Sequence, residues 1–275
     1  MTSVNSGKLR EVRPDVAYYT DQIVNVVMLG EPTGDWVLVD AGMPKHGDQI
    51  LRVCEKRFGE NHPPSAIVLT HGHFDHVGSI TELLSKWNVP VYAHPFEFPF
   101  LTGKTAYPEP DASVEGGILA KLSFLYPHEA IDISERLKPV PSDHTIPGIG
   151  GWRWLHVPGH SPGQIALFRD TDRVLIAGDA FVTVEQDSLY RVLLQKEEVC
   201  GPPVYLTADW HAASRSVERL AALDPEVAIT GHGTAMHNSE LKDGLRNLID
   251  RWHEVAVPEH GKWVTDNQVD GIDRI

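Results

Sequence analysis

The sequence of 275 residues predicts an α/β fold, and three observations carry that prediction. Short β-branched apolar runs recur along the chain, each ending in glycine and a side chain able to bind metal. Segments with apolar residues at helical spacing lie between them. The polar donors are spread over more than half of the chain and can form one site only if these elements pack together. That argues for a single domain over 1–275 rather than two small ones.

The elements follow in order. Val24 to Leu29 and Trp36 to Val39 are β-rich and flank a Gly34-Asp35 turn, the pattern of a hairpin. Leu51, Cys54 and Phe58 recur at helical spacing and stop at Gly59. Ala66-Ile67-Val68-Leu69 is a short apolar run, and a second β-rich stretch extends from Trp152 to Asp179. Thr207 stands ahead of Ala208-Asp209 and a run closing at Leu223-Asp224-Pro225, the pattern of a capped helix feeding a strand before His232. Leu241, Leu245, Leu248 and Trp252 form the apolar stripe of a C-terminal helix. These stripes are packing surfaces and receive no chemistry.

The chemistry begins at His71-Gly72-His73-Phe74-Asp75-His76. Neutral imidazole and carboxylate are donors that zinc and its first-row neighbours favour. Alternate side chains of an extended segment point the same way, so His71 and His73 can pinch one ion while Asp75 and His76 turn toward a second. With 15 histidines the chain is histidine-rich, and a lone one would be structural; three imidazoles and a carboxylate in six residues are not. Three later runs repeat the strand, glycine, donor order. They offer His160 after Pro158-Gly159, Asp179 after Ala177-Gly178, and His232 after Thr230-Gly231. Singly each would be a turn residue, but together they complete a cage.

This ordered set resembles the metallo-β-lactamase superfamily of hydrolases. The likeness rests on the His-x-His-x-Asp-His motif at His71 to His76, on Pro158-Gly159-His160-Ser161-Pro162-Gly163, on Gly178-Asp179 and on Gly231-His232-Gly233. Upstream, Val39-Asp40-Ala41-Gly42 looks like the family's early acidic strand end. The resemblance implies a four-layer αββα sandwich. It also implies that His71, His73 and His160 hold one metal, that Asp75, His76 and His232 hold the other, and that Asp179 bridges them. The full donor set favours a dinuclear hydrolase over the redox diiron branch, in which a glutamate replaces the second histidine of the motif. The implied cofactors are two divalent ions, zinc first, with iron or manganese as alternatives.

Two such ions acidify a shared water toward a pKa of about 7, so the expected reaction is attack of a metal-bridging hydroxide on an ester or lactone carbonyl. Asp179 would bridge the metals and Asp75 would pass the proton to the leaving group. The alternatives are a glyoxalase II-like thioester hydrolase and an iron-dependent persulfide dioxygenase. Phe181-Val182-Thr183 lacks the tyrosine that family lactonases often place after the bridging aspartate, which counts against a quorum-sensing lactonase. Arg246, Arg251 and Lys262 are the candidate clamp for a glutathione carboxylate.

Spacing adds one feature. Residue His160 follows His76 by 84 positions, against 19 from His160 to Asp179 and 53 from Asp179 to His232. The insertion, about 94–147, is rich in proline and aromatics, with Phe96, Phe98, Phe100, Tyr107 and the apolar stretch Ile118 to Tyr126. It is expected either to overhang the metals as a pocket wall or to form a surface flap or dimer contact. His94 and Asp40 are candidates to orient ligand imidazoles. His46, His62, His128, His144, His211, His237, His253 and His260 are assigned no chemistry.

Composition narrows partners and place. A formal charge of −14 without a dense Lys/Arg cluster disfavours nucleic acid. Only Cys54 and Cys200 are present, so neither a disulfide framework nor a thiolate site is indicated. Met1 to Pro14 is polar, with Lys8, Arg10 and Arg13 and no apolar h-region, and no stretch reaches membrane-spanning length. The expectation is a cytoplasmic enzyme of a small molecule, without membrane attachment and with a homodimer allowed; an exported antibiotic-degrading β-lactamase is disfavoured.

Overall fold

The computed structural model describes residues 3–114, 131–184 and 197–264. Its first sheet opens as an antiparallel meander, β1 (Leu9–Arg13), β2 (Val16–Asp21), β3 (Val24–Leu29) and β4 (Val37–Val39). The expected hairpin joins β3 to β4, with Val27 opposite Val39 and Leu29 opposite Val37. Trp36 falls just outside β4, where its ring stacks 4.1 Å from Phe58. The sheet then turns parallel through β5 (Ala66–Val68), β6 (Val91–Ala93) and β7 (Leu137–Pro139). Parallel neighbours need crossovers. These are α1 (Gly47–Phe58), which ends at Gly59 as the sequence predicts, and the pair α2 (Phe74–Val77) and α3 (Ile80–Lys86).

Beyond β7 comes a second sheet of β8 (Trp152–His156), β9 (Ile165–Arg169), β10 (Val174–Gly178), β13 (Val227–Thr230) and β14 (Met236–His237), ordered β14-β13-β10-β9-β8. A small ribbon of β11 (Val182–Val184) and β12 (Glu197–Cys200) stands beside it. Short helical turns at Pro95–Glu97 and α4 (Phe98–Leu101) follow β6. Two long helices, α5 (Trp210–Ala221) and α6 (Asn238–Asp250), cover the second sheet.

Strand alternation explains the layers. Val27 and Leu29 face a core shared with Leu167, Ile176 and Ile229 of the other sheet, while Val26 and Met28 face Ile50, Cys54 and Phe58 of α1. Likewise Leu167 points inward, whereas Ala166 and Phe168 meet Trp210, Val217 and Leu245 on α5 and α6. Each sheet is therefore buried on both faces, and the result is the αββα sandwich.

Two helix expectations shift. Asp209, not Thr207, caps α5, its carboxylate accepting the Ala212 N–H at 2.8 Å. Trp252 lies beyond the end of α6, on a separate turn α7 (Trp252–Val255), though its ring still packs with Trp210.

This topology gathers the carboxyl ends of β4, β5, β10 and β13 at one edge, where open α/β sheets place their sites. Main-chain bonds knit the two sheets there, Ile165 N–H to Thr70 C=O at 2.9 Å and Asn25 N–H to Gly231 C=O at 2.7 Å, while Gly231 N–H to Gly178 C=O at 2.8 Å ties β13 to β10 within the second sheet.

Candidate metal centre

All seven donors singled out in the sequence meet at that edge, and all are buried. His71, His73 and His160 form one triad of converging ring nitrogens; Asp75, His76 and His232 form another. Asp179 lies between them. Its Oδ1 is 3.5 Å from His76 Nε2, and its Oδ2 is 3.6 Å from His160 Nε2 and 3.2 Å from His232 Nε2. Gly231 makes room for this carboxylate, because a Cβ there would sit 1.9 Å from Asp179 Oδ1.

The bonds on the outward side of each ring decide which nitrogen faces the centre. Thr70 Oγ1 donates to Asp40 Oδ2 at 2.8 Å, so toward His71 Nδ1, at 3.0 Å, it can only accept. His76 Nδ1 donates to Asp40 Oδ2 at 2.8 Å. Thr207 Oγ1 donates to the Pro203 carbonyl and accepts from His160 Nδ1 at 3.1 Å. His232 Nδ1 donates to the Ile23 carbonyl at 3.0 Å. Four imidazoles thus engage Nδ1–H outward and turn Nε2 toward the centre, the arrangement that outer partners impose on metal-ligating histidines. His73 uses its other nitrogen, with Nδ1 2.9 Å from His160 Nε2.

The inward atoms are short of partners. His71 Nε2, His76 Nε2 and Asp179 Oδ1 are buried and make no hydrogen bond. Such atoms are rare in folded proteins, and three at one point suit a cation.

Charge in the metal-free centre divides along the triads. Burial, then the neighbouring imidazoles, holds His71 and His73 well below the ordinary histidine pKa, and burial takes His160 down to about 4. Burial opposes charge on His76 and His232 as well, but the carboxylates outweigh it: Asp179 leads in both cases, and His232 is pushed up to about 10. Asp75 and Asp179 are lowered despite burial, Asp75 chiefly by His76 and Asp179 chiefly by His232 and His76. Protons therefore occupy the second triad where a cation would sit, and metal uptake must release them.

A family model for the metallo-beta-lactamase superfamily matches residues 19–232. The chain belongs to that superfamily. It is 46% identical over 253 residues to "Probable metallo-hydrolase YflN" of Bacillus subtilis (strain 168), a match covering 91% of this chain and 96% of the relative. "Probable metallo-hydrolase YybB" of the same organism is 29% identical, with 80% and 84% covered. A beta-lactamase domain protein from Burkholderia ambifaria shares the fold with a TM-score of 0.61 at 20% identity, covering 92% of this chain and 78% of that one. The di-iron-bound form of TTHA1623 has a TM-score of 0.52 at 26% identity, covering 78% and 89%. As a superfamily member the chain is a metal-dependent hydrolase, and its donor set suits divalent ions.

The two candidate orienting residues part ways. Asp40 bonds His76 and Thr70 from a backbone at φ 65°, a conformation uncommon outside glycine. His94 instead stacks on His156, ring centroids 4.2 Å apart, and makes no bond to the seven donors among the described residues. The insertion aromatics diverge too. Phe96 is exposed, Phe98 is half-buried against the core of the first sheet, and Phe100 stacks on Tyr107, whose ring lies 4.5 Å from His73. Ile118 to Tyr126 lies outside the described residues.

Thr70 and Glu97 were not foreseen, nor were the hydroxyl bonds of Thr207 and Tyr107, which the sequence offers only at a helix start and as an insertion aromatic. Glu97 carried one sequence signal, a lone acid inside Phe96-Glu97-Phe98-Pro99-Phe100. Arg246 and Arg251, candidates for a cationic clamp, pair with Asp243 and Glu254 one turn away, and Lys262 lies over the Trp263 ring. No helix among the described residues is long and apolar enough to cross a membrane.

Proposed function

We propose that the chain is a dinuclear hydrolase of an uncharged ester or lactone, with His71, His73 and His160 holding one cation, Asp75, His76 and His232 the other, and Asp179 spanning both. The observation that carries this reading is the set of outward Nδ1–H bonds, which turns four Nε2 atoms inward, two into each triad on either side of Asp179. Charge supports two ions rather than one. Asp40, Asp75 and Asp179 are buried beside the two triads with no lysine or arginine bonded to them among the described residues, and cations would replace the protons that His76 and His232 hold in the metal-free centre.

When bound, two such ions acidify a shared water and polarise the scissile carbonyl. The protein's part is orientation and proton transfer. Asp40, Thr70, Thr207 and the Ile23 carbonyl keep the imidazole protons on the outside. Asp75, lowered in pKa and 3.3 Å from His232 Nε2, is ionised at neutral pH and able to take a proton and hand it to the leaving group. The Tyr107 ring beside His73 offers an apolar wall to the acyl part. Internal pairing of Arg246 and Arg251, with the charge of −14, favours an uncharged substrate over a glutathione thioester. Zinc is the proposed metal; the 26% identical di-iron-bound neighbour makes iron the second choice.

Elemental analysis followed by a panel of lactone, aryl ester, thioester, β-lactam and phosphodiester substrates tests the reading. It predicts two metals per chain and highest kcat/KM on a lactone or ester. Preference for a thioester, or one iron per chain with oxygen uptake, would overturn it.

A further inference from the structure

Glu97 has no part in the chemistry above, yet it is wholly buried and makes four hydrogen bonds. Its Oε2 accepts from the Gly72 N–H at 3.0 Å and from the Tyr107 hydroxyl. Its Oε1 accepts from the Gly163 N–H at 2.6 Å and the Ser161 hydroxyl at 2.8 Å. One oxygen thus holds the loop between His71 and His73, and the other holds the loop that follows His160. Those two loops carry every donor of the first triad.

The fit is close on both sides. A Cβ on Gly163 would lie 2.8 Å from Glu97 Cγ and Oε1, and a Cβ on Gly72 would lie 2.6 Å from the Tyr107 hydroxyl and 3.3 Å from Glu97 Oε2. The chemistry demands a carboxylate. Its two oxygens offer about four lone-pair sites and no donor, whereas a glutamine would turn an NH2 group against N–H and O–H donors on one of the two loops. The Gly72 and Gly163 N–H groups can only donate and face opposite oxygens, so no amide of this length satisfies both loops.

We infer that Glu97 is a positioning residue that fixes the spacing of the His71–His73 and His160 loops and so sets the first triad's affinity for its cation. The second triad is held by Asp40 and the Ile23 carbonyl, Asp40 also reaching His71 of the first triad through Thr70 Oγ1, and Glu97 bonds neither. The beginning of the insertion then acts as a strut beneath the centre, whatever its remainder covers. This inference rests on the two-cation reading proposed above.

Cobalt(II) titration of the full chain, read by visible absorbance and by chelator competition, tests it. Wild type should take up two equivalents. Glu97→Gln should keep one at wild-type affinity and weaken the other about 10- to 100-fold, with a changed visible band for that equivalent alone. Gly163→Ala, which displaces the carboxylate without removing its charge, should weaken the same equivalent and serves as the test if Glu97→Gln does not fold. Wild-type affinity for both equivalents in the folded variants, or equal weakening of both, would overturn the inference. A wild-type chain that binds no cobalt would instead remove the metal reading on which it rests.

Discussion

Asp40→Asn should weaken metal binding at the second triad while leaving the backbone undisturbed. Asparagine tolerates the positive φ of 65° as aspartate does, so the effect is confined to hydrogen bonding. Asp40 Oδ1 accepts the Thr70 N–H at 2.7 Å, while Oδ2 accepts from both Thr70 Oγ1 and His76 Nδ1 at 2.8 Å. An amide oxygen facing the buried Thr70 N–H leaves an NH2 facing His76 Nδ1. The imidazole must then move its proton to Nε2, where the cation would bind. Loss of such an orienting partner costs about 10- to 100-fold in metal affinity, or roughly 1.4–2.8 kcal/mol. Asp40→Ala should be worse. It leaves the Thr70 N–H unpaired, at about 1–3 kcal/mol, and forces alanine into left-handed backbone, at about 1–2 kcal/mol more. Chelator-competition titration reads the first effect, and thermal unfolding with a chelator present reads the second. If Asp40→Asn bound both metals at wild-type affinity, the tautomer argument would be refuted.

Gly231→Ala should abolish metal binding and turnover, since its methyl would occupy the place of Asp179 Oδ1; elemental analysis showing two bound metals would contradict this. Thr207→Val, which removes the acceptor for His160 Nδ1, should weaken one of the two metal equivalents about tenfold or more and spare the other in the same titration. Stability of the metal-free protein should fall between about pH 7 and 10. His232, raised to about 10, and His76, also raised, contribute stability that is complete below the unfolded value of about 6.5 and lost as pH climbs through the folded one. His71, His73 and His160, lowered in the fold, titrate below that window. A melting temperature of the chelated protein that holds constant or rises from pH 7 to 10 would refute the assignment. Metal loading at pH 7 should release protons to a weak buffer, detectable with an indicator dye.

Much of the centre was legible because its donors obey local rules. His71 to His76 are consecutive, and Asp40, Asp179 and His232 each sit where an apolar run ends, while their meeting in one site was what the resemblance to the superfamily implied. The partners that orient them follow no such rule. Thr207 reads as a helix cap, and only the fold shows that its hydroxyl is engaged by His160 and Pro203 while Asp209 takes the cap. Tyr107 and Glu97 belong to an insertion whose composition suggests a wall or flap; what they do depends on two loops, around Gly72 and Gly163, separated by most of the intervening chain. The strands β1 and β12 were missed because short, partly exposed strands carry little apolar signal, and the buried β2 and β11 were missed as well, their runs interrupted by polar Tyr, Thr and Asp side chains.

The most direct test is anomalous diffraction from crystals of the metal-loaded enzyme. The account predicts two peaks per chain, one among His71, His73 and His160, the other among Asp75, His76 and His232, with Asp179 touching both. A single peak in a fully active enzyme, with Asp75 and His232 left free of metal, would contradict it.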